Sequence, residues 1–405
     1  MKKNRKKKMI YFVVALVSTL VLGALALAFY VKMTSHPQVL QQSEQTWSPD
    51  VVSEDPEQLE VIETDERADM QTDAQQEATV EEVVEKGSVT LTFGGDICFH
   101  DPFANMGALN ARGGSIESCI DAALLAEMRN SDICMVNNEF PYSDRGTPIP
   151  EKAFAFRSRP ENVNLLHEMG VDIVSLANNH AYDHGEIALL DTFDVLEKAG
   201  VEYAGAGRNL SDASEPVIME INGLKVGLLA ATQIERLDTP DTKGATENAP
   251  GVLRCFNEKE LNHFLELVAE AEKECDVLIV YIHWGTENTD ELDWAQPYQA
   301  DLISKAGADL IVGAHPHCLQ GLDSVNGVPV IYSLGNYWFN SKPLDTALLK
   351  IVVGSGGVET VQILPARQQD CATSMLYDGE KERVLNYLQS LSPNVALDGD
   401  GFMTW

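Results

Sequence analysis

The chain has 405 residues, 44% of them hydrophobic, and a formal net charge of −33. That is enough for two or three domains with an ordinary packed core, and so acidic a balance excludes nucleic acid as a partner, because neutralising phosphates needs basic patches. Seven cysteines at irregular spacing, with no C-x-x-C, exclude a disulfide scaffold.

Lys2, Lys3, Arg5, Lys6, Lys7 and Lys8 precede an uncharged apolar run from Met9 to Val31. The run is long enough to cross a bilayer as one helix. Basic residues before it place residues 1–8 in the cytoplasm and the rest outside, a single-pass cell-membrane topology. A cleavable signal peptide, with Ala26-Leu27-Ala28 as its small-residue site, is the alternative; the run exceeds the usual signal core, which favours an uncleaved anchor. Residues 32–87 are rich in Glu, Asp, Gln, Ser and Thr, and bury too little apolar area to fold. They are expected as a disordered acidic linker, with a short helical turn over Val80 to Glu85.

From Ser88 the pattern changes to strands alternating with helices. Val89 to Phe93 is a strand ending in Gly94-Gly95-Asp96, and Ile120 to Asn130 has the helical spacing of Leu124, Leu125 and Met128. Ile133 to Val136 runs into Asn137-Asn138-Glu139. Helix Pro160 to Met169 leads to strand Ile173 to Leu176 and Asn178-Asn179-His180. Helix Ile187 to Ala199 follows, then a hairpin around Asn222-Gly223. Helix Glu258 to Glu274 precedes strand Val277 to Ile282, which ends at His283. Helix Pro297 to Ala306 precedes the apolar run Leu310 to Val312, which delivers His315 and His317 with Pro316 between them. An extended segment would point both imidazoles to one side. A hairpin around Asn326-Gly327, strand Val330 to Tyr332 and Ser333-Leu334-Gly335-Asn336 come next. A hairpin over Leu348 to Val352 and Val358 to Leu364 closes the domain 88–367. Residues 368–405 are expected as an extension with one helix, Lys381 to Leu391. Repeated βα units with interspersed hairpins predict a mixed α/β sandwich.

Polar residues recur where these strands end, and ligands of α/β sheets bind beyond the carboxyl ends of strands. Asp96, Glu139, Asn179, His283, His315 and His317 are a mixed oxygen and imidazole set. It suits a divalent transition metal such as Mn, Fe or Zn better than Ca or Mg. Such a centre activates water and holds an oxyanion, which is hydrolytic chemistry. Asp183 could orient His180, Arg208 could grip a carboxylate or phosphate, and Asn336 is a further substrate-binding candidate. Arg157 and Arg159 are alternatives for the gripping role. His184 is expected at the surface, and Trp284 and Trp338 in the core.

The ordered set GGDICFH, NNEFP, ANNHAYDHG, HWGTE, GAHPHCLQG and YSLGN resembles the CapA-type capsule (poly-γ-glutamate) biosynthesis proteins, from about Ser88 to Leu364. That family is similar in fold to the calcineurin-like metallophosphoesterases. The resemblance implies a four-layer α/β sandwich around a two-metal centre, with a single ion as the alternative that the departures at Cys98, His100 and Glu139 leave open. It implies Asp96, Glu139, Asn179, His283, His315 and His317 as ligands and His180 as the catalytic histidine. The phosphoesterase first motif, D-x-H, is altered, because Cys98 stands two after Asp96 and His100 four after. Glu139 stands where those enzymes carry a bridging Asp. Expected partners are the membrane, subunits of a polymer synthase, and an anionic polymer or phosphoester substrate. The functional expectation is a metal-dependent hydrolase of the cell envelope; the alternative is a non-catalytic subunit of a polymer synthase or export complex.

Overall fold

A computed structural model of the chain describes residues 86–235 and 242–405. The expected cytoplasmic tail, transmembrane helix and all but the last two residues of the acidic linker lie outside the described residues. Among those described, no helix is long and apolar enough to cross a membrane.

Two sheets carry the molecule. The first contains β1 (Val89–Ile97), β2 (Ile133–Asn138), β3 (Ile173–Ser175) and β4 (Glu202–Ala204), all parallel. The second begins with the hairpin of β5 (Val217–Ile221) and β6 (Leu224–Thr232). It continues through β7 (Val277–His283) and β8 (Leu310–Ala314), and ends in the hairpin β9 (Leu322–Val325) and β10 (Val328–Ile331). The chain then returns to the first sheet with β11 (Asn336–Trp338), β12 (Leu344–Gly354), β13 (Gly357–Gln369) and β14 (Ala372–Met375). The first sheet is ordered β14-β13-β12-β1-β2-β3-β4, with β11 also on β1; the second is ordered β9-β10-β8-β7-β6-β5.

Period-two alternation sorts the strand residues into layers. Leu228 and Ala230 of β6 face a core between the sheets, shared with Leu91, Phe93 and Met135. Their neighbours Leu229 and Ala231 face the opposite way, toward the helices on the second sheet's outer face. Buried on both faces, these strands are near-continuous apolar runs rather than alternating ones. Helices α1 (Ala104–Ala111), α2 (Ala122–Asn130), α3 (Asn164–Met169) and α4 (Glu186–Ala199) cover the outer face of the first sheet. Helices α5 (Glu258–Ala271) and α6 (Ala295–Ala306) cover that of the second. The layering is helix, sheet, sheet, helix, the predicted α/β sandwich. Helix α5 starts with a reciprocal capping box between Asn257 and Glu260. Pro160–Val163 is a tight 3₁₀ turn, so α3 is shorter than its apolar pattern predicts.

Residues 368–405 are built into the domain rather than appended to it. β13 extends to Gln369 and β14 adds a further edge strand. Helix α7 (Asp378–Leu391) buries Val384, Leu385 and Leu388 in the core between the sheets.

Candidate metal centre

The parallel strands of both sheets deliver their carboxyl ends to one rim. Asp96 is the penultimate residue of β1 and pairs across the sheet with Asn137 of β2 on one side and Asn336 of β11 on the other. Glu139 follows β2 directly, and one residue separates it from Asn137, which brings both to the same side. The last residue of β7 is His283. Asp96, Asn137, Glu139 and His283 are all fully buried.

The contacts cross from sheet to sheet. The Asn137 amide nitrogen lies 2.8 Å from Asp96 Oδ1, 2.8 Å from Glu139 Oε1 and 3.2 Å from His283 Nδ1. His317 Nδ1 is 2.9 Å from Asp96 Oδ2. His283 Nε2 is 2.9 Å from Asn179 Oδ1 and 3.0 Å from His315 Nδ1. Ligand atoms of Asp96, Glu139 and His283 all lie within 4.8 Å of one another.

His315 and His317 reach the rim by a different route from the expected one. β8 ends at Ala314, and both histidines take left-handed backbone conformations, φ 98° and 58°. An extended segment would carry the chain away from β1; the two left-handed residues around Pro316 fold it back across the strand ends. Such conformations are costly for residues with a Cβ and persist where the surroundings hold them.

The electrostatics follow from dense packing without solvent. Burial, then the Asp96 charge, pushes Glu139 well above its ordinary value. Burial opposes ionisation of Asp96, but hydrogen bonds from His317 and Asn137 prevail and hold it low. His283 is driven well below its usual value by burial and the neighbouring His315, and His315 is lowered to about 3 by burial and His317. His317, beside Asp96, is raised in spite of burial. Neutral imidazoles are the metal-binding form. Glu139 Oε2 is buried with no hydrogen-bond partner, 3.9 Å from His317 Nε2. A buried carboxylate oxygen left unpaired among a carboxylate and imidazoles fits a cation. The donor set thus suits a transition metal.

Beside this cluster, His180 Nδ1 lies 2.8 Å from Asp183 Oδ2. Asp183 is fully buried, accepts the Phe156 amide at 2.6 Å, and pairs with Lys152 Nζ at 2.5 Å. Lys152 also reaches the Asn179 carbonyl. The Phe156 ring lies against the His180 imidazole, centroids 4.3 Å apart.

A profile of the family described as bacterial capsule synthesis protein PGA_cap matches residues 90–341. The chain belongs to that family. Relatives include the PGA biosynthesis protein CapA of Bacillus subtilis, 32% identical over 244 residues, covering 58% of this chain and 62% of that protein. The capsule biosynthesis protein CapA of Bacillus anthracis is 29% identical over 249 residues, 60% of each chain. The match spans about three-fifths of those relatives' length. Among solved structures, TT1561 of Thermus thermophilus covers 65% of this chain and 94% of its own, at 11% identity and a TM-score of 0.35. That likeness is too low to place the fold, so the layering rests on the sheets described above.

In this PGA_cap member the rim gathers Asp96, Glu139, Asn179, His180, Asp183, His283, His315 and His317. Asn336 joins them at the interior, 2% exposed, beside Asp96 in the sheet. Arg208 is elsewhere: it is held by Asp194 at 2.8 Å and Glu197 at 3.0 Å, both on α4, and lies over Phe193. Its charge is already satisfied, which removes it as a substrate grip. His100 is not gathered with Asp96, Glu139 and His283 in place of the missing histidine of D-x-H; its Nδ1 lies 3.0 Å from the backbone of Arg157. His184 is buried, not at the surface. Trp284 and Trp338 are core residues as expected. Three residues escaped the sequence reading. Asn137 links Asp96, Glu139 and His283. Asn178 binds Asn137 Oδ1 at 3.1 Å and receives the His180 amide at 3.0 Å. Lys152 braces Asp183. The spacing of Asn137 and Glu139, two apart at a strand end, was the available signal for the first.

Proposed function

We propose that this chain is an extracytoplasmic protein of capsule or poly-γ-glutamate metabolism, anchored by residues 9–31, whose rim is a metal-dependent hydrolase site for a phosphoester or γ-glutamyl amide. The observation that carries this reading is the buried convergence of Asp96, Glu139 and His283 with one Glu139 oxygen unpaired. Asn179, His315 and His317 complete the donor set. A bound divalent ion, manganese, iron or zinc, supplies Lewis acidity and makes a coordinated water more acidic. One ion rather than two is favoured, since neither Cys98 nor His100 supplies the second-site imidazole.

The protein's own groups divide the remaining work. Asp183 accepts from His180 Nδ1, which fixes the ring orientation and leaves Nε2 to exchange a proton with the leaving group. Lys152 holds the opposite Asp183 oxygen, so the carboxylate cannot swing away. Phe156 covers one face of the His180 ring and excludes water from it. Burial lowers His180 below its ordinary value against the pull of Asp183.

The test is metal analysis of the purified full-length chain, with hydrolysis of a phosphodiester and a γ-glutamyl amide. About one metal per chain is expected in the wild type, with a large loss in His315→Ala. His180→Ala should keep its metal and lose roughly 10²–10⁴-fold in rate. A wild-type chain that takes up none of the three metals would sink the reading. A second reading, a non-catalytic subunit of a membrane-bound polymer synthase or export complex, is favoured by the departure at Cys98 and His100. It predicts a metal-loaded chain that cleaves neither substrate class.

A further inference from the structure

Residues 145–159 carry Arg145, Lys152, Arg157 and Arg159, a dense group of cations in a chain of net charge −33. Three of them are committed. Arg145 pairs with Asp191, Lys152 with Asp183, and Arg159 with Asp101. Arg157 has no carboxylate partner among the described residues; its guanidinium donates only to the Arg145 carbonyl, at 3.3 Å.

The segment is pressed onto the residues that follow His180. Ile149 donates its amide to the Asp183 carbonyl at 2.9 Å. Gly146 takes φ 82° and passes so near the His184 carbonyl that a Cβ there would collide with it. Beneath this covering lies His184, 6% exposed; neither ring nitrogen has a well-aligned hydrogen-bond partner, the ring's polar contact being with the backbone of Ala155. A buried imidazole nitrogen without a well-formed hydrogen bond is costly unless a ligand meets it. The Arg145 carbonyl that receives the Arg157 guanidinium directly precedes Gly146, which lies against His184, so the guanidinium and His184 border the same piece of chain; burial, and next the charge of Arg157, depresses the proton affinity of that ring.

Neither residue is far from the chemistry. Arg157 directly follows Phe156, whose ring covers His180 and whose amide binds Asp183. His184 directly follows Asp183. We propose that Arg157 and His184 form an oxyanion niche flanking the His180–Asp183 pair, which holds a carboxylate or phosphate of an anionic substrate chain. The guanidinium supplies the planar fork that matches either oxyanion, and the buried neutral imidazole supplies one N–H beside it. An uncommitted cation is also what so acidic a protein needs to hold an anion, because its overall field repels one. This inference rests on the rim being the substrate site, and it adds the substrate's charge to that reading.

The test titrates a labelled γ-linked glutamate pentamer and, separately, inorganic phosphate against the full-length chain at fixed ionic strength. Arg157→Gln should weaken binding at least about tenfold. Arg157→Lys, which keeps the charge and loses the fork, should fall between that variant and the wild type. Both should retain the wild-type metal content. Binding of the pentamer alone identifies the niche as carboxylate-specific, and competition by phosphate identifies the broader oxyanion class; either supports the niche. Unchanged affinity in Arg157→Gln overturns it, as does failure of the wild type to bind either probe. Should Arg157→Gln lose its cooperative melt, unchanged affinity in Arg157→Lys overturns it equally. A metal-free wild type that still binds the pentamer through Arg157 would defeat the hydrolase reading and leave the niche standing.

Discussion

Asn137 presents two amide hydrogens to three acceptors, Asp96, Glu139 and His283. Two protons cannot satisfy three partners, so at least one of those groups has to carry its own proton or meet a cation. Glu139 is the group that carries it, since burial and the Asp96 charge raise it far above its ordinary value of 4.5. The sign follows. Folded Glu139 keeps its proton where the unfolded carboxylate has lost it, so from pH 4.5 upward the metal-free protein loses stability through this group. A metal ion entering the cluster displaces that proton, and the raised His317 adds a second in the same direction. His283 and His315 release none, being neutral already. Metal affinity should therefore rise with pH from 4.5 upward, with at least about one proton released per ion. Calorimetric titration of the metal in two buffers of different ionisation enthalpy measures this directly. Affinity independent of pH across that range would refute the assignment of the proton to Glu139.

At the scale of elements, β1 and β11 approach so closely that the position of Asp96 depends on a missing side chain. The Asp96 amide donates to the Gly335 carbonyl at 3.0 Å, and a Cβ on Gly95 would collide with that same carbonyl. Gly95→Ala should cost about 1–3 kcal/mol and lower metal affinity, because the strands must part where Asp96 is set. Gly107, inside α1, has nothing within 4 Å of its added Cβ. Gly107→Ala should stabilise by about 0.4–1 kcal/mol and leave the metal centre untouched. Parallel thermal melts with metal analysis compare the two; equal effects would disprove the close-approach argument. The strand ends were legible because an apolar run that stops at Asp, Glu or His announces a buried strand with a polar terminus. Asn137 stood in the same polar strand end as Glu139, and an uncharged amide beside a carboxylate gives no sign that it links three ligands. Lys152 lies in an irregular stretch with no period to place it. Arg208 misled for the opposite reason: a lone arginine after a glycine turn gives no sign that α4 supplies two carboxylates to hold it. The left-handed histidines depend on a fold-back that spacing does not encode.

For the molecule as a whole, the last residues of the chain close the space between the sheets. Val384, Leu385 and Leu388 enter the shared core, Leu322 of β9 donates its amide to Ser392 at 2.7 Å, and Ile363 of β13 donates to the Gly401 carbonyl at 2.8 Å. These contacts are non-local, which is why the tail looked separable from sequence. Three buried aliphatic side chains at about 2 kcal/mol each are comparable with the ~5–15 kcal/mol net stability of a domain. A chain ending at Leu376 should therefore lose its cooperative melt, as followed by near-ultraviolet circular dichroism. A sharp transition near that of the full chain would show the helix to be dispensable.

The pairing of β1 has a consequence in time. Val89 bonds into the ladder opposite Val353, and Asp96 opposite Asn336, so the first strand made is completed by some of the last. Contacts this distant in sequence make folding slow and leave sheet edges open meanwhile. During vectorial synthesis Asp96 emerges early but meets His317 only after most of the domain has followed it. The centre therefore forms late, and a nascent or prematurely terminated chain carries its carboxylates without its imidazoles.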